Sequence, residues 1–419
     1  MPRAGGSYLY ASRGLSPYLG FIASFSQWFG LSIVIGVISY IIVPFIRDVF
    51  FNLGFINISD FLEIGSVRLT ISLLLIWLFV LVNIVGGKVY KNTLIPMLVI
   101  MFVLGSIVLI TGLVYDQNDF INSVLNSENR VIEPILDIKF DWKIFLTAAT
   151  LMFSSFIGFD AIAQTGNEAK NPTKNIPRAI LLAIFIVASY YILFTISVYN
   201  IVPWSFVADE SITKDITAPG LLSYVLPPFW GILIIIGAAI ALINDLPAMI
   251  LSVSRLMFAW AKDNIFPNRV ALIHSKFNTP YIAIILVGVV ASIGAIGSHF
   301  AGDFFLGIDI MVTSMMINFL LMCITLISIQ KVNFKLFRNI TVIKNRAIQL
   351  FIGYTGTLII LIFLIIHTYK DLSSNVEEWY FHSTYIYLIV MTIASIYFAL
   401  RWKTVQVKNK NTFKTLPVE

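Results

Sequence analysis

Three carboxylates set inside otherwise apolar runs, Asp160, Asp245 and Asp309, are the residues best suited to chemistry in this chain. A carboxylate at mid-bilayer depth costs roughly 2.5–3.5 kcal/mol on insertion scales, so one is rarely kept without a use. Asp160 follows Gly158 in SSFIGFDA, where serines and glycine let a helix unwind and offer free carbonyls and amides to a ligand. A polar loop with two prolines and an arginine comes next, and residues 151–180 read as a discontinuous transmembrane helix at a transport site. Asp245 lies two residues before Pro247, whose missing N–H frees a carbonyl one turn back and predicts a kink. Helical spacing puts Met249 and Ser252 on the face of Asp245, and Thr313 on the face of Asp309. Asp309 sits near the outer end of its run, where interfacial placement is expected. Ser314 and Asn318 read as interhelical glue, worth about 0.6 kcal/mol on average. Arg255 reads as an anchor whose long side chain snorkels to the headgroups. Ser24, Ser26 and Gln27 suit either close helix packing or a pathway wall.

The elements that position these groups follow from composition. Of 419 residues, 58% are hydrophobic and 12% charged, against about 25% charged in soluble domains, and the mean hydropathy is +0.89. This is the balance of an integral membrane protein. The single cysteine, Cys323, excludes an internal disulfide framework, and His274, His299, His367 and His382 show no paired ligand spacing. No metal or cofactor is expected. The net charge of +6 reads as basic cytoplasmic loops rather than as a nucleic-acid surface.

Ten runs are long enough to cross roughly 30 Å of hydrocarbon: 17–46, 67–87, 92–114, 143–166, 178–201, 229–260, 280–298, 304–330, 347–367 and 380–401. The longest breaks, 115–142 and 202–228, are each expected to hold a short helix lying on the membrane. Counted on alternate sides, all but seven of the 28 lysines and arginines share one side. The exceptions are Arg47, Arg68, Arg130, Lys139, Lys143, Lys214 and Lys370. The positive-inside rule then predicts a multi-pass protein of the cell membrane with both ends of this chain cytoplasmic. The opening residues lack the apolar segment of a signal peptide, and Gly5 and Gly6 look like the exit of a helix. One transmembrane domain is expected: residues 1–16 as the tail of a truncated helix and a loop, 17–330 as the core bundle, 331–401 as two C-terminal helices and 402–419 as a cytoplasmic tail.

No H-E-x-x-H, G-x-S-x-G or Walker loop is present, so the chain does not read as an enzyme or a nucleotide-driven pump. A channel would show a repeated filter or a ring of like charges. Single, dissimilar polar residues on separate helices favour a transporter with one asymmetric site.

Three stretches carry a family likeness: PRAGGSYLYASRGLSP near the start, SFIGFD with TGNEAKNP and IPRAI, and SRLMFAWAKDNIFPNRVALIHSKFNTP from Ser254 to Pro280. With them the chain resembles the amino acid permeases of the amino acid–polyamine–organocation (APC) superfamily, near the cationic amino acid transporter branch. The resemblance implies an all-α, LeuT-like inverted-repeat helical bundle, these ten helices being the third to twelfth of a twelve-helix pattern. It implies secondary active amino acid transport by alternating access, with an amino acid as the small-molecule partner and H+ or Na+ as candidate coupling ions. Ser155, Phe156 and Ile157 would supply carbonyls to the substrate's amino group. Phe159 and Asp160 would open the second half-helix, with the ring of Phe156 or Phe159 as a lid. Met249 matches a pocket-facing position, Asp245 joins the substrate-binding set, and Glu168 would act as a gate.

The likeness also implies a glycine-broken first helix, and the opposing wall of the site is expected upstream of Met1. The fifth helix of the pattern carries Met97 where some relatives carry a coupling lysine. The alternatives are a polyamine or organic-cation carrier, in which Asp160 and Asp245 pair with ammonium groups, and a non-transporting truncated membrane protein.

Overall fold

The fold is that of a computed structural model, which describes residues 5–132, 140–164, 166, 169–213, 216–301, 305–376, 378–408 and 413. Every regular element among them is helical. The first half comprises α1 (Gly6–Gly14), α2 (Pro17–Asn52), α3 (Ile56–Glu63), α4 (Gly65–Val85), α5 (Gly87–Val114), α6 (Gln117–Glu128), α7 (Trp142–Met152), α8 (Ala161–Gln164) and α9 (Pro172–Ile201). The second half comprises α10 (Trp204–Thr213), α11 (Ala218–Leu222), α12 (Pro228–Lys262), α13 (Tyr281–Ala301), α14 (Phe305–Val332), α15 (Phe334–Phe337), α16 (Arg346–Ser373) and α17 (Ser383–Lys408). Ten helices among the described residues are long and apolar enough to cross a membrane, and they fall on the ten runs expected from hydropathy. Residues 1–4, where a helix ending at Gly5 and Gly6 would lie, fall outside the described residues. Gly5, at φ 96°, is the N-cap of α1, so the pair opens that helix.

The bundle is assembled around α2, which packs against α12, α13, α14 and α4. Ser16 caps it by accepting from the Leu19 amide at 3.2 Å, and Pro17 at the first helical position needs no amide partner. Its 36 residues span about 54 Å, more than a bilayer core, so it crosses with a tilt or protrudes. Glycine on both sides lets α2 and α13 approach closely. A Cβ on Gly36 would lie 2.1 Å from the Ala291 carbonyl oxygen, and one on Gly294 would lie 2.4 Å from that of Ile33. Both obstacles are backbone, so neither can swing aside. Gly36→Val is therefore expected to destabilise the protein by about 1–3 kcal/mol or more, the range of core overpacking, with a matching fall in the thermal midpoint measured in detergent.

The outer helices expose the apolar residues that the core does not use, among them Leu78 on α4, Val103 on α5, Phe185 on α9 and Leu358 on α16. Such faces would aggregate in water and match hydrocarbon. Both long breaks hold the expected short helices. These pack on one another as a cap, with the Phe120 ring against those of Phe206 and Tyr224 at 5.1 and 5.5 Å. Arg130 from the first break pairs with Glu210 and Asp209 from the second.

One polar expectation changes. Arg255 is buried within the bundle at 8% exposure and does not snorkel; its helix α12 packs against α1, α2 and α13. Asp309 is 14% exposed and sits 3.6 Å from the Lys370 ammonium on α16, a partner beyond the reach of periodicity on α14. α12 continues as a helix through Pro247, whose own carbonyl accepts from Asn83 Nδ2 at 3.2 Å.

Candidate functional site

The break forms where α7 loses its helical hydrogen bonds. Asp141 caps the start of α7, accepting from the Lys143 amide at 2.7 Å. The helix tightens into a 3-10 turn over Phe153–Phe156, and Ile157 is extended at φ −69° and ψ 134°. Gly158 then takes φ +132°, a conformation that side-chain-bearing residues rarely adopt. Nothing lies within 4 Å of where its Cβ would be. The glycine is required by backbone conformation, not by crowding. Helical structure resumes at α8, with the Ala161 amide donating to the Gly158 carbonyl at 3.0 Å.

Asp160 stabilises this geometry from both sides. One carboxylate oxygen accepts from the Gly158 amide at 3.3 Å, and the other accepts from Gln27 Nε2 on α2. A carboxylate can only accept, so it fixes the orientation of the Gln27 amide and turns Oε1 of Gln27 towards further donors. Ser7 of α1 donates to that oxygen at 2.6 Å, Gln164 of α8 at 3.1 Å, and Asn318 of α14 approaches it at 3.5 Å. The Gln164 and Asn318 carbonyl oxygens are left as buried acceptors without a partner. Gln27 thus ties the broken segment to the surrounding bundle.

A cavity of about 390 Å³ opens beside this network, bounded by Phe159, Asp160, Gln164, Asn318 and Phe319 and continuing to Ile329 and Ile340. The rings of Phe159 and Phe319 stack at 5.4 Å with 17° between planes, forming an aromatic wall. On the other side of the break, the Tyr191 hydroxyl of α9 donates to the Ser155 carbonyl at 2.8 Å. Its ring meets Phe156 edge-on at 5.5 Å and 85°.

The expected site residues therefore separate. Phe159 and Asp160 border the cavity. Ser155 and Phe156 face Tyr191, while Ile157 and Met249 pack against the core. Asp245 is exposed on α12, whereas Ser252 on the same helix is buried at 1% exposure. Glu168 lies outside the described residues. Gln164 and Tyr191 carried no sequence signal beyond polarity in an apolar run. For Gln27 the two open readings resolve together. Ser24 and Ser26 serve packing, accepting from Trp260 Nε1 at 2.9 Å and donating to the Ser314 carbonyl at 2.9 Å, and Gln27 reaches the break. Asn318 is more than glue, since it also borders the cavity.

The three stretches singled out by sequence meet here. The Gly5 amide donates to the Gln164 carbonyl at 3.2 Å, and Gly6 packs so closely on α8 that a Cβ would lie 2.9 Å from the Ala163 carbonyl oxygen. Arg13 and Tyr8 both reach Asp263 at the end of α12, at 2.6 and 2.5 Å. One stretch carries the break, and the other two clamp its second half from the side of α1.

Comparison with known proteins identifies relatives of the chain. An uncharacterized transporter of Mycobacterium tuberculosis is 34% identical over 164 residues, 38% of this chain and 36% of the relative. A branched-chain amino acid permease of Bacillus subtilis is 28% identical over 150 residues, 35% of this chain and 31% of the relative. A low-affinity putrescine importer of Escherichia coli is 26% identical over 299 residues, 69% of this chain and 60% of the relative. The first two matches thus span about a third of each relative's length. The model of the family described as amino acid permease matches residues 1–413. With ten membrane-length helices and a match over nearly its whole length, the chain is a multi-pass membrane protein that belongs to the amino acid permease family.

Proposed function

We propose that the chain is a secondary active amino acid transporter that works by alternating access and binds its substrate at the break around Gly158. The observation that carries this reading is the break itself, an unwound segment inside a membrane-length helix, held open by Gly158 at φ +132° and bordered by a cavity. Backbone groups freed inside the bilayer are costly unless a ligand, water or protein satisfies them. The carbonyls of Phe156 and Ile157 are the acceptors for a substrate ammonium, with Ser155 beside them. Phe159 closes the cavity side, and Asp160 holds the second half-helix. Met249, against the same core as Ile157, limits the pocket, and Glu168 remains a proposed gate. In the cell membrane both ends of the chain are cytoplasmic. The cavity then leads from the break to the cytoplasmic side, since Ile329 and Ile340 flank the basic Lys331 and Lys335.

Of the three relatives, the low-affinity putrescine importer matches the chain over the greatest length, and this favours a second reading as a polyamine carrier. Asp160 and Asp245 would then serve the two ammonium groups. The test is uptake of radiolabelled L-leucine, L-lysine and putrescine into liposomes containing the purified protein, under imposed proton and sodium gradients. Uptake of an amino acid above empty liposomes is expected, and a gradient that drives accumulation identifies the coupling ion. Uptake of putrescine alone selects the second reading. Absence of uptake for all three refutes both.

A further inference from the structure

We infer that Tyr191 is a positioning residue for the substrate's ammonium group, an inference that rests on the transport reading above. Two independent contacts place it on consecutive residues just ahead of the break. Its hydroxyl donates to the Ser155 carbonyl at 2.8 Å, and its ring meets the Phe156 ring edge-on at 5.5 Å. It comes from α9, whereas the break lies between α7 and α8, so the contacts cross between elements.

The consequence follows from peptide geometry. A peptide group is planar, so holding the Ser155 oxygen also fixes the N–H of Phe156 and the direction in which the chain enters Phe156 and Ile157. A 3-10 turn that ends in a lone extended residue has few internal bonds to do this, and Ile157 donates back only as far as Ser154, at 3.0 Å. Tyr191 supplies the missing constraint from outside the segment. Acceptors held in place before the ligand arrives lose less entropy on binding it. The hydroxyl also takes one lone pair of the Ser155 oxygen, which shifts the ammonium towards Phe156 and Ile157.

The test is Tyr191→Phe, which keeps the ring and its contact with Phe156 and removes only the hydroxyl. One hydrogen bond contributes about 0.5–1.5 kcal/mol, so KM for the transported probe among L-leucine, L-lysine and putrescine is expected to rise about threefold to tenfold. Vmax per inserted protein should stay within about twofold, because acceptors serving bound and moving substrate alike change KM alone. A purely structural role would lower Vmax or insertion and leave KM in place. Tyr191→Leu, which also removes the ring contact, should raise KM further. Substrate-induced thermal stabilisation in detergent gives the same comparison without transport, and the probe should stabilise Tyr191→Phe less than wild type. An unchanged KM with an unchanged thermal shift overturns the inference and leaves the transport reading standing. So does a lowered KM, which would mean that the hydroxyl competes with the ammonium. Wild-type protein that takes up none of the three probes refutes the transport reading and this inference with it.

Discussion

Gly158→Leu is expected to abolish uptake while leaving membrane insertion and protein yield unchanged. Conformation, not space, decides this outcome. Nothing lies within 4 Å of the position a Cβ would take, so the new side chain finds room. At φ +132°, however, a residue with a Cβ is strained, at a cost of about 1–3 kcal/mol. The segment can relieve that strain by turning Gly158 back to negative φ. Doing so breaks the Gly158 amide's bond to Asp160 and withdraws the Phe156 and Ile157 carbonyls into helical bonding. Insertion should not suffer, because leucine is among the most favourable residues in a transmembrane helix. Gly158→Ala carries the same strain in a smaller side chain and should lose most uptake as well. That outcome would separate conformation from bulk. Normal initial rates of uptake in both variants, measured per inserted protein in liposomes, would place the site elsewhere.

The same residue shows how far the sequence could be read. The break was legible because glycine and aspartate are costly inside an apolar run, and because its neighbours Ser155 and Phe156 lie within a single short stretch. The ten membrane helices were legible for a similar reason, since length and hydropathy are local quantities. What could not be read was pairing between distant segments. Gln27 and Asp160 are 133 residues apart, and nothing in either stretch marks the other as its partner. Arg255 was misplaced for the same cause. A basic residue near a helix end snorkels when its surroundings are lipid, and only tertiary packing shows that they are protein. Tyr191 lies in a run of apolar and aromatic residues on α9, where a tyrosine ordinarily reads as lining or lipid-facing. Its contact with the break becomes visible only when the Ser155 carbonyl appears beneath its hydroxyl. Periodicity placed Met249 and Asp245 on neighbouring parts of one helix face, yet the bundle treats them differently, one packed against the core and the other exposed.

The clamp that holds the second half of the break leads to the other large expected effect. Arg13 and Asp263 form a two-pronged ion pair at 2.6 and 3.0 Å, with their side chains 0% and 2% exposed, and Tyr8 donates to the same carboxylate at 2.5 Å. Removing one member of such a pair leaves the other charged and buried, at a cost of about 3–5 kcal/mol. Asp263→Asn keeps the shape and deletes the charge, so the thermal midpoint in detergent should fall by an amount matching that range. Arg13→Met alone should do the same, since it strands the carboxylate. In the double variant Arg13→Met with Asp263→Leu, no charge remains to be desolvated, and much of the stability should return. Activity should not return with it. Arg13 and Tyr8 belong to α1, which also meets α8 through Gly5 and Gly6, and the paired charges fix how that helix sits against the end of α12. A double variant as stable as wild type but slow in uptake would show that the pair serves geometry more than stability. Single variants with unchanged midpoints would refute the buried pair as a clamp.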